Sequence, residues 1–230
     1  MCGGTEFERL MIPVITIDGP SASGKGTVAQ RVAQQLGFHY LDSGALYRLT
    51  ALAAVRQGLA AAGEETLGQL AAQLPVEFSG NDIYLAGDMV TEAIRTEDCG
   101  RLASKLSAFP AVRTALLERQ RNFLRLPGLV ADGRDMGSVV FPQALLKVFL
   151  TATPEVRAQR RFNQLISKGV DVIMEDVVRD LRNRDERDRT RAVAPLDPTG
   201  ALILDTSALS IDQAMVQILA WYSVNAQHEG

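Results

Sequence analysis

The sequence predicts an α/β fold, a parallel sheet with helices on both faces. Five short apolar runs recur along 230 residues, at Val14–Ile17, Phe38–Leu41, Leu129–Ala131, Leu145–Leu150 and Ala201–Leu204, and helix-like stretches separate them. That alternation is the pattern of a parallel sheet, and runs that are apolar without alternating suit strands covered on both sides. The first run leads through a glycine-rich stretch into a helix-like segment, Val28 to Leu36. Strand, glycine loop and helix in that order form the context in which an anion-binding loop is credible.

The loop comprises Gly19, Pro20, Ser21, Ala22, Ser23, Gly24, Lys25, Gly26 and Thr27. Its glycines let the backbone wrap inward, so that several N–H groups point at one anion. The following helix adds the positive end of its dipole. Lys25 supplies a mobile point charge for the outer phosphates of a nucleotide, and Thr27 a hydroxyl for Mg²⁺. In the common form of this motif Ser or Thr directly follows Lys; here Gly26 intervenes.

Residues 1–10 carry Glu6, Glu8 and Arg9 and lack the apolar centre of a signal peptide. They are read as a flexible tail or upstream start, with the single domain spanning 11–230. Its core is expected in 11–41, 129–156 and 192–230. Between them, 42–128 forms an inserted lobe. A helix from Ala45 to Gln57 is stopped by Gly58, and a second covers Glu65 to Leu74. Val76–Phe78, Ile83–Leu85 and Met89–Val90, separated by Ser-Gly-Asn-Asp and Ala-Gly-Asp turns, suggest a small antiparallel ribbon. Two more helices follow, the second opened by Pro110 and ended by Pro127-Gly128. A second insertion, 157–191, starts after Thr153-Pro154-Glu155 and is broken into two arms at Lys168-Gly169. The last helix opens on a capping box, Ser210 to Gln213.

Composition excludes several classes. Net charge is −3 and the pI about 5.5, which argues against non-specific nucleic-acid binding. Cys2 and Cys99 show no paired spacing and the only histidines, His39 and His228, stand far apart, so neither a disulfide framework nor a zinc site is expected. A reducing cytoplasm fits. No run approaches the roughly 20 apolar residues of a membrane span. A coiled-coil pattern is absent, and a monomer is expected.

The basic residues are the informative excess: 20 of 24 are arginines, and nine of these lie between 157 and 191. Arginine is the residue suited to bidentate phosphate contacts. If Arg184–Arg191 is helical, Arg184, Arg187, Asp188 and Arg191 share one face, able to clamp phosphates or meet a sugar hydroxyl. The alternative is a solvated helix laced with weak surface ion pairs. Arg157, Arg160 and Arg161 are candidates for a second clamp. The turn Asp132-Gly133-Arg134-Asp135-Met136-Gly137 follows the third run, and Asp132 is expected to hold Mg²⁺. Open parallel sheets bind ligands at the carboxyl ends of their strands, where the loop, Asp42, Ser43, Asp132, Arg134 and Asp135 all fall. Many arginines and no evident general base favour an acceptor that is itself a phosphate monoester, whose oxygen is already ionised near neutral pH. An arginine-rich segment broken by glycine suits a lid over the site, mobile without ligand.

Four segments carry a resemblance to a known family: Ile17–Thr27, Leu41–Arg48, Ala131–Gly137 and Arg184–Leu196. The chain resembles bacterial-type cytidylate kinase, of the nucleoside monophosphate kinase family of P-loop kinases. The resemblance implies ATP-dependent, Mg²⁺-assisted phosphorylation of CMP and dCMP. It also implies a five-stranded parallel core, a monophosphate-binding lobe with a small β-insert, and an Arg-rich lid. By position, Arg48, Arg134 and Arg191 would hold the acceptor phosphate, Ser43, Arg184 and Asp188 would meet the sugar, and Ser104, Arg113 and Asp135 would read the base. A kinase for UMP or AMP, a kinase for a non-nucleotide acceptor, and a nucleotide-hydrolysing switch are the competing readings. The last is disfavoured by the absence of an Asn-Lys-x-Asp segment.

Overall fold

A computed structural model describes residues 12–80 and 82–228; the tail expectation for 1–10 and the turn residue Asn81 lie outside the described residues. The chain divides into two compact units, one built from residues up to Leu41 and from Phe123 onward, the other from Asp42–Asn122.

The first unit holds a five-stranded sheet. Its strands are β1 (Val14–Asp18), β2 (His39–Asp42), β6 (Leu129–Gly133), β7 (Leu146–Thr151) and β8 (Leu202–Asp205), in the order β2-β6-β1-β7-β8. β1 pairs in parallel with β6 and with β7, and β7 with β8. The five predicted runs are therefore the five strands, each displaced or extended toward its polar end by one residue, or by two in β6. Central β1 is buried at every position. Ile15, Ile17, Val130, Val148 and Leu150 form the core with Val28 and Val32 of α1 (Lys25–Leu36) and Ile218 of α8 (Ile211–His228). Burying such a side chain contributes roughly 1.5–3 kcal/mol, which is why the sheet centre is the fixed frame on which the site is mounted. The capping box is present: Ser210 N–H donates to Gln213 Oε1 at 2.9 Å, and Gln213 N–H to Ser210 Oγ at 3.1 Å.

Also in this unit, α6 (Pro154–Ser167) and α7 (Met174–Thr190) are the two arms broken at Lys168-Gly169. Thr153 caps α6 through Val156 N–H. The arms share a small apolar cluster of their own, Ala158, Leu165, Val177 and Leu181, against which Ala22 packs.

The second unit contains α2 (Ser43–Arg56), α3 (Glu64–Ala72), α4 (Glu97–Leu106) and α5 (Pro110–Arg121). It also holds the expected ribbon, β3 (Val76–Ser79), β4 (Asp82–Leu85) and β5 (Asp88–Met89), paired antiparallel. α2 begins two residues earlier than the sequence suggested because Asp42 is its cap, accepting from Ala45 N–H at 3.1 Å. α5 ends at Arg121, short of Pro127-Gly128. A 3₁₀ turn at Ala93–Arg95 and a π turn at Met136–Val140 were not foreseen. Among the described residues no helix is long and apolar enough to cross a membrane.

Candidate active site

Gly19 is held at φ 156°, and a Cβ there would lie 2.0 Å from the Leu150 carbonyl oxygen, so no other residue fits where β1 turns into the loop. Ala22 adopts a left-handed φ of 59°, uncommon for a residue with a side chain. Gly24 caps α1 without a side-chain bond, and the first turn of a helix is a place where backbone amides can meet an anion. α1 starts at Lys25, three residues before the predicted Val28, so Lys25 and Thr27 sit on its first turn, Lys25 half-buried and Thr27 exposed. Ser23 Oγ is buried with no hydrogen-bond partner among the described residues.

A loop that turns its amides inward turns carbonyls outward, and these need donors. Two of the three predicted clamp arginines of α6 serve them. Arg157, buried, donates to Ser21 O at 3.2 Å and Ala152 O at 3.2 Å, and pairs with Asp185 at 2.7 Å. Arg160 donates to Ser23 O at 3.0 Å and Thr206 O at 2.7 Å. Arg161 instead turns to Gln164 on its own helix.

The turn after β6 gathers the second set. Arg134 Nε donates to Asp188 at 2.7 Å, and Nη2 to Ser21 Oγ at 2.9 Å. Burial opposes the charge on Arg134, but Asp188, Asp132 and Asp185 outweigh it and raise its pKa. Asp188 mirrors this: burial pushes its carboxyl up, and Arg134, Arg184 and Arg191 pull it down further. Arg191 Nη2 lies 3.6 Å from Asp135 Oδ1 and its Nε donates to Ala194 O. One expectation is corrected. Arg184, Asp188 and Arg191 turn inward, but Arg187 is exposed. The reason is that α7 ends at Thr190 and Arg191 is an extended cap residue, reaching inward by leaving the helix rather than by sharing a face with Arg187.

Asp132, buried, explains the departure in the loop motif. A Cβ on Gly26 would lie 2.9 Å from Asp132 Oδ2, so glycine at this position lets the carboxylate rest against the turn that carries Thr27. Tyr40 donates to the same oxygen at 3.4 Å.

In the second unit Ser43 opens α2 and is buried. Arg48 donates to Ile94 O at 2.8 Å and Thr96 O at 3.3 Å, bridging α2 to the start of α4. Ser104 and Arg113, which look like surface residues in the sequence, are 5% and 8% exposed. Arg113 donates to Ser107 O at 3.2 Å and stands 6.0 Å over the Tyr47 ring, within cation–π range.

Sequence reasoning missed Asp18, Tyr40 and Tyr47. Asp18 had a signal: it follows an apolar run immediately before the loop, as Asp132 follows the apolar run Leu129–Ala131 before its turn. Its carboxylate accepts from Met136 N–H at 2.9 Å and Gly137 N–H at 2.8 Å. Burial, with a smaller push from Asp135, outweighs those bonds and Lys25 and raises its pKa to about 6. The two tyrosines had none, since an aromatic residue in a strand or helix ordinarily reads as core.

The family model described as "Cytidylate kinase" matches residues 15–223. A cytidylate kinase of Polynucleobacter asymbioticus is 57% identical over 212 residues, covering 92% of this chain and 96% of that protein. One from Bordetella pertussis is 57% identical over 211 residues, covering 91% and 95%. Among solved structures, a gluconokinase from Sinorhizobium meliloti aligns over 94% of both chains with a TM-score of 0.48 at 15% identity.

Proposed function

The chain belongs to the cytidylate kinase family, and we propose that it transfers the terminal phosphoryl group of ATP to CMP and dCMP. The observation that carries this reading, beyond family membership, is the density of cationic groups built around one loop. Lys25 is on the loop itself, Arg157 and Arg160 hold its carbonyls, and Arg134 holds its Ser21 hydroxyl.

Phosphoryl transfer passes through a loose, highly charged transition state, so positioning and charge stabilisation supply most of the catalysis. A nucleoside monophosphate needs no base to deprotonate it. Gly19–Thr27 would cradle the ATP phosphates, with Lys25 on the outer ones and Ser23 as a further donor. Thr27 and Asp132 would hold Mg²⁺. The fit is chemical: a hydroxyl and one buried carboxylate, the carboxylate lying against Gly26, the residue before Thr27, suit an ion that takes oxygen ligands and keeps most of its water and phosphate partners. Among the described residues there is no group of three or more His, Cys, Asp or Glu that could form an all-protein cage. Bound there, Mg²⁺ would neutralise charge on the transferring phosphates.

In the first unit, Arg134 and Arg191 are assigned to the acceptor phosphate, Arg184 and Asp188 to the sugar, and Asp135 to the cytosine amine, a donor that suits a carboxylate. In the second, Arg48 is assigned to the acceptor phosphate, Ser43 to the sugar, and Ser104 and Arg113 to the acceptor edge of the base. The deciding experiment compares CMP, dCMP, UMP and AMP as acceptors with ATP. CMP and dCMP should turn over fastest; faster turnover with AMP or UMP would overturn the assignment.

A further inference from the structure

Asp135 occupies the cap position of the π turn Met136–Val140, with φ −149° and ψ 24°, yet its side chain makes no capping bond. A carboxylate at a cap ordinarily accepts from the first amides of its own turn. Here those amides go elsewhere: Met136 N–H to Asp18 Oδ1 and Gly137 N–H to Asp18 Oδ2. Asp18 reaches them because parallel pairing sets it opposite Gly133 at the end of β6. It is 7% exposed. Asp135, relieved of capping, lies against Arg191 instead.

We propose that Asp18 is a positioning residue that caps this turn from the neighbouring strand, so that the Asp135 carboxylate can be committed to Arg191 and the acceptor base. Asp18 also directly precedes Gly19. A single buried carboxylate thus fixes the entrance of the donor loop and the turn that carries Arg134 and Asp135. The proposal rests on the reading of CMP as acceptor, and its test separates the two.

In Asp18→Asn, isosteric but able to accept only one of the two N–H groups, KM for CMP should rise about tenfold, the scale of one buried bond lost, while KM for ATP stays within about twofold. The penalty should disappear in an Asp135→Ala background, because the cap acts through Asp135. An equal penalty in both backgrounds, or an equal rise in both KM values, would overturn the proposal. Should Asp18→Asn not fold, hydrogen exchange on the wild-type protein decides: Met136 and Gly137 amides should be strongly protected without ligand, and rapid exchange there would overturn the cap. If the wild type fails to phosphorylate CMP, the functional reading falls, and the amide protection still reports on the cap.

Discussion

The two arms, α6 and α7, are both rich in arginine, and Arg160 on the first and Arg191 at the end of the second are held in opposite ways. Arg160 of α6 spends its donors on neutral oxygens, the Ser23 and Thr206 carbonyls and the Thr206 hydroxyl. At the end of α7, Arg191 lies against Asp135, and Asp188 takes Arg134. A guanidinium held by carbonyls keeps its full charge and its geometry, and so builds the wall of the site. One held by a carboxylate is part of an exchangeable pair, in which an incoming phosphate can take the place of the carboxylate. The difference teaches that arginine count alone does not distinguish scaffold from substrate contact; the partner does.

The comparison is most exposed at Arg191. Arg191→Ala should lower kcat by roughly 10²–10³-fold, as for other lost transition-state donors, with KM for ATP little changed in a coupled assay. If KM for ATP rises instead, α7 serves the loop and the contrast between the arms fails.

Proton linkage gives the next largest effect and separates the paired carboxylate from the capping one. Asp188 is held below its ordinary 3.8 by its arginines. Its contribution is present above that value and is lost as pH falls through the lower folded value. Asp18 is raised from 3.8 to about 6. Between those values the folded protein binds the proton and the unfolded chain does not, so stability falls as pH rises through that window. Urea titrations should show wild type losing up to about 3 kcal/mol relative to Asp18→Asn between pH 4 and pH 7. The advantage of wild type over Asp188→Asn should instead shrink only below about pH 4. Profiles of the same sign would remove the distinction.

A smaller effect is expected at Arg160. Arg160→Ala should raise KM for ATP about tenfold by removing the guanidinium bonds to the Ser23 and Thr206 carbonyls, with kcat much less affected than in Arg191→Ala. A kcat loss matching that of Arg191→Ala would show that Arg160 touches the reacting phosphates directly. Arg189→Ala, which breaks an exposed pair with Glu186 on α7, should shift stability by less than about 1 kcal/mol and serves as the reference for both arms.

The frame of the fold was legible because buried parallel strands must be apolar and loops at their carboxyl ends must be polar; β1, β6 and β7 follow from that alone. The loop and Asp132 were legible for the same reason. What was not legible depended on contacts across the sequence. Nothing near Arg157 announces that Ser21 and Asp185 will claim it. Arg187 and Arg191 look equivalent until the helix end between them is seen. Ser104 and Arg113 lie where α4 packs on α2 and α5 on α3, which no local periodicity encodes. Gly26 stood out in the sequence as a departure, but its cause lies 106 positions away in the Asp132 carboxylate.

The apolar cluster between α6 and α7 ties the two arms to each other, with Ala22 of the loop packed against it. Any swing of the hairpin must be absorbed at its roots, near Ala152-Thr153 on one side and Arg191–Ala194 on the other, where Ala194 already adopts a φ of 51°. The 14 residues of α6 make a lever of roughly 20 Å. Pivoting it by about 10° would sweep the Lys168-Gly169 tip through roughly 4 Å while leaving every contact inside the hairpin unbroken.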